Sequence, residues 1–135
     1  MKINVLITLL AVTVLSGCCC IFSGSKKDGS FTEADSGKTF STMPGSTLNI
    51  DLKGNYTTGF SWNIVSCDES ILKVSPDSKY VSDTFKPGMV GVGGVQHYIF
   101  NVVGKGQTEL KITYNRVWEK DVAPDQIFTL KIDSK

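Results

Sequence analysis

Histidine occurs once in this sequence, at position 97, and cysteine is confined to positions 18, 19, 20 and 67. That scarcity removes several chemistries at the outset. A blue-copper centre takes two histidines with a cysteine, and a structural zinc site takes spaced cysteine or histidine ligands. Neither set exists here, so no cofactor and no metal is expected. Cys67 is the only thiol in the body of the chain. It is expected as a buried or half-buried small apolar side chain, in a domain without a disulfide framework. His97 falls mid-strand, where a lone histidine is more often packed or on the surface than a base. A Cys67–His97 nucleophile pair would need the fold to join them and a third residue to orient them; none stands out. The acidic residues are scattered rather than paired. The chain reads as a non-enzyme.

Long runs of one charge are also missing. No basic run exceeds Lys26-Lys27, and no aromatic platform sits among arginines, so a nucleic-acid partner is not expected. Basic and acidic residues nearly balance, 14 against 13, and steering of a partner by net charge should be weak. There is no internal repeat and no convincing helical period.

The one long apolar run lies at the start. Lys2 and the stretch Ile3 to Leu15 have the make-up of a signal peptide and are short for a membrane span. The run ends in Leu15-Ser16-Gly17-Cys18, which resembles the lipobox of prokaryotic lipoproteins. Residues 1–17 are therefore expected to be removed, and the thiol of Cys18 to carry a diacylglycerol that anchors the protein to the cell membrane or envelope. Several acyl chains hold far better than one, at about 0.8 kcal/mol per buried methylene. For Cys19 and Cys20, extra acylation, pairing between chains and no role at all stay open. Residues 18–37 are poor in apolar side chains after Phe22 and read as the lipidated cysteine and a flexible tether. Such a tether reaches on the order of 25 Å.

The domain is expected over 38–135. Met43-Pro44-Gly45-Ser46 has proline and glycine at the centre of a type II turn. Apolar and polar residues alternate through Leu48, Ile50 and Leu52, through Trp62 and Ile64, and through Tyr98, Phe100 and Val102. The same holds for Leu110, Ile112 and Tyr114 and for Phe128, Leu130 and Ile132. Period-2 alternation puts each set on one buried face of a sheet. Trp62 is expected in the core. Seven or eight short strands with turns at such spacing predict an all-β, two-sheet sandwich.

Three stretches stand outside that pattern. Asn55-Tyr56-Thr57-Thr58-Gly59-Phe60 is a polar tip between two strands, with Gly59 the residue most able to take positive φ. Gly91-Val92-Gly93-Gly94 is nearly free of side chains, and Arg116-Val117-Trp118 puts a large aromatic in a third connection. Read alone, each is a surface loop. Together and in this order they resemble the chagasin family of cysteine-protease inhibitors, whose members carry Asn-Pro-Thr-Thr-Gly-aromatic, Gly-x-Gly-Gly and Arg-Pro-Trp loops on an immunoglobulin-like sandwich. The resemblance runs from about Lys38 to Lys131, with Tyr56 and Val117 in place of the two prolines.

The resemblance implies a reversible, competitive inhibitor of papain-like cysteine proteases, a monomeric domain whose three loops wedge into the active-site cleft. It puts Asn55, Tyr56, Thr57, Thr58, Gly59 and Phe60 at the tip, with Thr58 closest to the catalytic cysteine and histidine. Gly91, Val92, Gly93 and Gly94 would lay bare backbone against the unprimed side, and Trp118 would lie on the primed side. Arg116 would support its own loop or pair with a carboxylate. Asn55-Tyr56-Thr57 also has the form of a glycosylation sequon, expected to be unmodified because a sugar would obstruct the tip. The alternative for the same sandwich is a membrane-tethered adhesion or envelope-assembly module that binds through a sheet face or edge, with the three loops dispensable.

Overall fold

The computed structural model describes residues 27–135. The leader, Cys18, Cys19, Cys20 and the first part of the expected tether lie outside the described residues. Among the described residues nine strands form two sheets: β1 Gly29–Thr32, β2 Lys38–Thr42, β3 Thr47–Gly54, β4 Ser61–Ser66, β5 Leu72–Val74, β6 Lys79–Ser82, β7 Gly94–Val102, β8 Gly106–Asn115 and β9 Gln126–Ser134. One sheet runs β1-β3-β7-β5, with β6 following β5 along the same edge of β7; the other runs β2-β9-β8-β4. The sandwich is immunoglobulin-like.

The alternating residues supply the core. Leu48, Ile50, Leu52, Phe100, Leu110, Ile112 and Leu130 are completely buried, and Trp62, Val102, Phe128 and Ile132 nearly so. Burying a large aliphatic or aromatic side chain is worth about 1.5–3 kcal/mol, so this inner face dominates the stability. Two tyrosines put polar atoms into it and satisfy them: Tyr98 Oη donates to Trp62 O at 2.8 Å, and Trp62 Nε1 donates to Lys53 O at 2.9 Å; Tyr114 Oη accepts from Asn55 N at 2.8 Å. Gly45 takes φ +92°, and Ser46 N donates to Met43 O at 3.2 Å, the geometry of a type II turn.

The domain begins earlier than Lys38. Residues 29–37, expected as tether, form β1 and a short 3-10 turn at Glu33–Asp35. β1 pairs in parallel with β3, from Gly29 opposite Leu48 to Thr32 opposite Asp51. Phe31 is its inward residue, 8% exposed, and meets Phe40 of β2 edge to face at 5.0 Å. One apolar side chain among four residues carries no period, and the hydrogen bonds that make it a strand come from a distant segment.

The two ends of the sandwich differ. Thr42 Oγ1 donates to Lys27 O at 3.0 Å, Lys135 N donates to Thr42 O at 3.0 Å, and the turns at Gly45 and Gly104 are at the same end. Both chain ends of the domain therefore lie at one pole. β3, eight residues long, leads away from it and spans roughly 25 Å at about 3.3 Å per residue. At the other pole lie the connections 55–60, 83–93 and 116–125.

Candidate functional site

The connection 55–60 is no hairpin: β3 and β4 belong to different sheets, so it arches over the open end of the sandwich. It is also well ordered by its own bonds. Asn55 Oδ1 accepts from Thr57 N at 3.1 Å and from the Thr57 hydroxyl, capping a single 3-10 turn, Tyr56–Thr58. Gly59 ends that turn at φ +83°, the left-handed region that glycine adopts without strain. Thr58 Oγ1 donates to Asn55 O at 2.7 Å. Its one proton is thus used internally, which leaves the hydroxyl oxygen of this exposed residue to act as an acceptor. Thr57 and Thr58 are exposed; Asn55, Tyr56, Gly59 and Phe60 are half-buried.

Tyr56 lies flat on Tyr80, ring centroids 3.8 Å apart and planes within 6°, and its hydroxyl donates to Gln96 Oε1 at 2.7 Å. Burial pushes the Tyr56 phenol above its ordinary range. The aromatic that replaces a proline is therefore docked on the sheet rather than swinging in solvent.

The other two connections come to the same place. The middle one, 83–93, is a hairpin closed by Asp83 N donating to Gly93 O at 2.8 Å. A Cβ on Gly91, which has φ +81°, would lie 3.0 Å from Thr57 Oγ1 and 3.5 Å from Asn55 Nδ2, so this backbone runs against the flank of the tip. Gly91, Val92 and Gly93 are half-exposed there. Gly94 is different: it is buried as the first residue of β7, under Tyr80, and belongs to the wall beneath the loop rather than its exposed edge. On the third connection, the Trp118 ring covers Gly59 so closely that a Cβ there would lie 2.5 Å from Cη2. The rest of the indole is open to solvent, 63% exposed, so Trp118 is not a core residue.

Arg116 is the strut between the loops. Its Nε donates to Thr58 O at 3.2 Å, its guanidinium lies 4.4 Å over the Phe60 ring, and Nη1 pairs with Glu119 Oε1 at 3.0 Å. Glu119 N also donates to Arg116 O at 3.2 Å, closing a turn with Val117 at a position proline favours. Arg116 thereby commits Nε and Nη1 within the molecule, while exposed Val117 and Trp118 face out.

No reactive pair forms among the described residues. Cys67 packs against the core and donates to Leu72 O at 3.6 Å; burial, then Glu69 and Asp68, push its thiol up, which disfavours the thiolate. His97 lies on the outer face of the other sheet, its Nδ1 2.6 Å from Asp51 Oδ1.

The one surface that gathers the three unusual stretches is thus the pole of 55–60, 91–93 and 116–118. The model of the chagasin family of peptidase inhibitors (I42) matches residues 41–132, a span that holds all three. The chain belongs to that family. Amoebiasin-1 of Entamoeba histolytica is 35% identical over 104 residues, covering 77% of this chain and 97% of the relative. Chagasin of Trypanosoma cruzi is 31% identical over 104 residues, covering 73% and 91%. Among solved structures, the solution structure of Amebosin superposes with a TM-score of 0.66 at 30% identity, covering 81% of this chain and 99% of that one. The cysteine protease inhibitor EhICP2 of Entamoeba histolytica shares the fold, with a TM-score of 0.72 at 23% identity over 80% of this chain and 96% of that one. Members of the chagasin family are protease inhibitors, and this chain is not an enzyme.

Several residues of this pole escape the motif reading. Tyr80, Gln96 and Tyr114 support the tip from beneath, and nothing in their spacing announces it. Phe85, Met89 and Val90 form an exposed apolar crest on the middle connection, 63%, 47% and 104% exposed. Large apolar side chains in a run without strand alternation were the available signal for that crest.

Proposed function

We propose that the chain inhibits papain-like cysteine proteases reversibly and competitively, filling the active-site cleft with the three loops of one pole. The observation that carries this reading is their convergence, with Trp118 on Gly59, Gly91 beside Thr57 and Arg116 on Thr58 O. Thr58 goes deepest. Its hydroxyl oxygen accepts a hydrogen bond from the protease histidine, and the position offers no peptide carbonyl to the thiol, so the inhibitor is not cut. Gly91, Val92 and Gly93 bring backbone to the unprimed side, where a substrate would make main-chain hydrogen bonds. Trp118 is the rigid aromatic anchor on the primed side. Steady-state kinetics with the purified protein against a panel of papain-like proteases tests this: Ki independent of preincubation, KM raised and kcat unchanged, and the inhibitor recovered whole. Absence of inhibition at micromolar protein across the panel refutes it.

The same protein is proposed to be exported and held on the membrane or envelope by lipid on Cys18. Support comes from Leu15-Ser16-Gly17-Cys18 after an apolar leader and from the entry of the chain at Lys27, at the pole away from the loops. A tether from that end turns the inhibitory surface away from the membrane. Cys18→Ser should move the protein from the detergent phase to the aqueous phase in a cloud-point partition; equal partition of both forms would exclude the anchor.

A further inference from the structure

We infer that Tyr80 and Gln96 are positioning residues for the inhibitory tip: by clamping Tyr56 they supply the restraint that a proline supplies in the related motif. The inference rests on the inhibitory reading above only for its kinetic half.

Tyr56 is the first residue of the 3-10 turn Tyr56–Thr58. A proline there would set φ near −65° by its ring. Tyr56 has no such ring closure, yet it is held at two points of its side chain. The ring face rests on Tyr80 at 3.8 Å, and the hydroxyl at the far end donates to Gln96 Oε1 at 2.7 Å. Two points of attachment fix both side-chain torsions, and with them the direction of the Cα–Cβ bond from which the turn starts. The restraint acts from outside the backbone instead of within it.

The clamp itself is built into the sheet. Tyr80 and Gln96 are register partners on β6 and β7, and Gln96 is 8% exposed. Tyr80 Oη donates to Gly54 O at 3.3 Å, at the end of β3 where the tip begins. Gly94 makes room for that ring: a Cβ on it would lie 2.5 Å from Tyr80 Oη and 2.4 Å from Val81 O. The last glycine of the Gly91-Val92-Gly93-Gly94 stretch thus serves the first loop, by seating its clamp. Because β6 and β7 also carry the connection 83–93, the same contact ties the tip to the base of the second loop.

Losing the restraint lets the tip sample conformations that cannot dock, and apparent affinity falls by the fraction that remains competent. Four variants of the purified protein separate restraint from contact: Tyr56→Ala, Tyr56→Pro, Tyr80→Ala and Tyr80→Ala with Tyr56→Pro. Both single changes at 56 remove the aromatic, but only proline restrains φ. Two readouts are taken: Ki against a papain-like protease, and amide hydrogen exchange at Thr57, Thr58 and Gly59 in the free protein. Exchange at Phe100 and Ile112 reports whether the core is intact. The expected result is that Tyr56→Ala and Tyr80→Ala each raise Ki about tenfold and speed exchange at the tip, while each proline variant exchanges at the tip more slowly than its alanine counterpart. Unchanged tip exchange in Tyr80→Ala, or a proline variant that behaves like its alanine counterpart, overturns the inference. If the parent protein inhibits nothing, the functional reading fails, and the exchange arm still decides the clamp.

Discussion

Removing the Trp118 ring is the perturbation that separates docking from folding most cleanly. An indole buries about 250 Å² when fully covered. With 63% of Trp118 still open, about 160 Å² remains for a partner. At about 25 cal/mol per Å² the ceiling is about 4 kcal/mol. Ordering costs and imperfect cover at a protein interface reduce this, so Trp118→Ala should weaken inhibition by about 2 kcal/mol, roughly thirtyfold in Ki. Stability should hardly change, by about 0.5 kcal/mol or less, because most of the ring is open to solvent in the free protein. Tight-binding kinetics and a thermal melt on the same preparation measure both halves. An unchanged Ki with an unchanged melt would mean that Trp118 lies outside the interface and that the third loop has been misassigned.

Gly59→Ala acts on the same contact from the other side. A left-handed φ of +83° costs an L residue about 1–2 kcal/mol, and the new methyl displaces Trp118, so the melting temperature and the inhibition should both fall; an unchanged Ki would disconnect the ring from the tip. Thr58→Arg puts bulk and charge at the exposed apex, costs the fold about 0.5–1.5 kcal/mol through the lost bond to Asn55 O, and should weaken inhibition by at least about 1–3 kcal/mol, the usual effect of overpacking; retained inhibition would point to binding elsewhere. Burial pushes the Tyr98 phenol up to about 12 from an ordinary value of 10.0. Its folded pKa is raised, so its contribution to stability is whole below pH 10 and is lost as pH rises towards 12. Tyr98→Phe should flatten the fall in stability over that window, and should also lower stability at neutral pH by about 1–2 kcal/mol through the lost bond to Trp62 O; identical pH profiles would rule out Tyr98 as the titrating group.

How far each feature could be read along the chain depended on how local its cause is. Side chains alternate because the strand backbone alternates, so Leu48, Ile50 and Leu52 declare their burial without any knowledge of their neighbours. The Met43–Ser46 turn is equally local, since proline and glycine restrict or free φ at their own positions. β1 was illegible for the opposite reason. Its single inward residue, Phe31, makes no pattern, and its hydrogen-bond partners lie on β3. Gly94 shows the same limit within a motif. Adjacent in sequence to the exposed glycines, it is buried because a ring from β6 lies over it.

Taken alone, the sequence determined the two-sheet class, the inward faces and the three loop motifs that mark the chagasin family, since periodicity and residue type are written position by position. Tertiary structure alone decided that the first loop arches between sheets, that Arg116 turns inward to brace it, and that Tyr56 is pinned by Tyr80 and Gln96. Those outcomes depend on which strands become neighbours, and strand pairing is a property of the whole chain's packing that no short stretch contains.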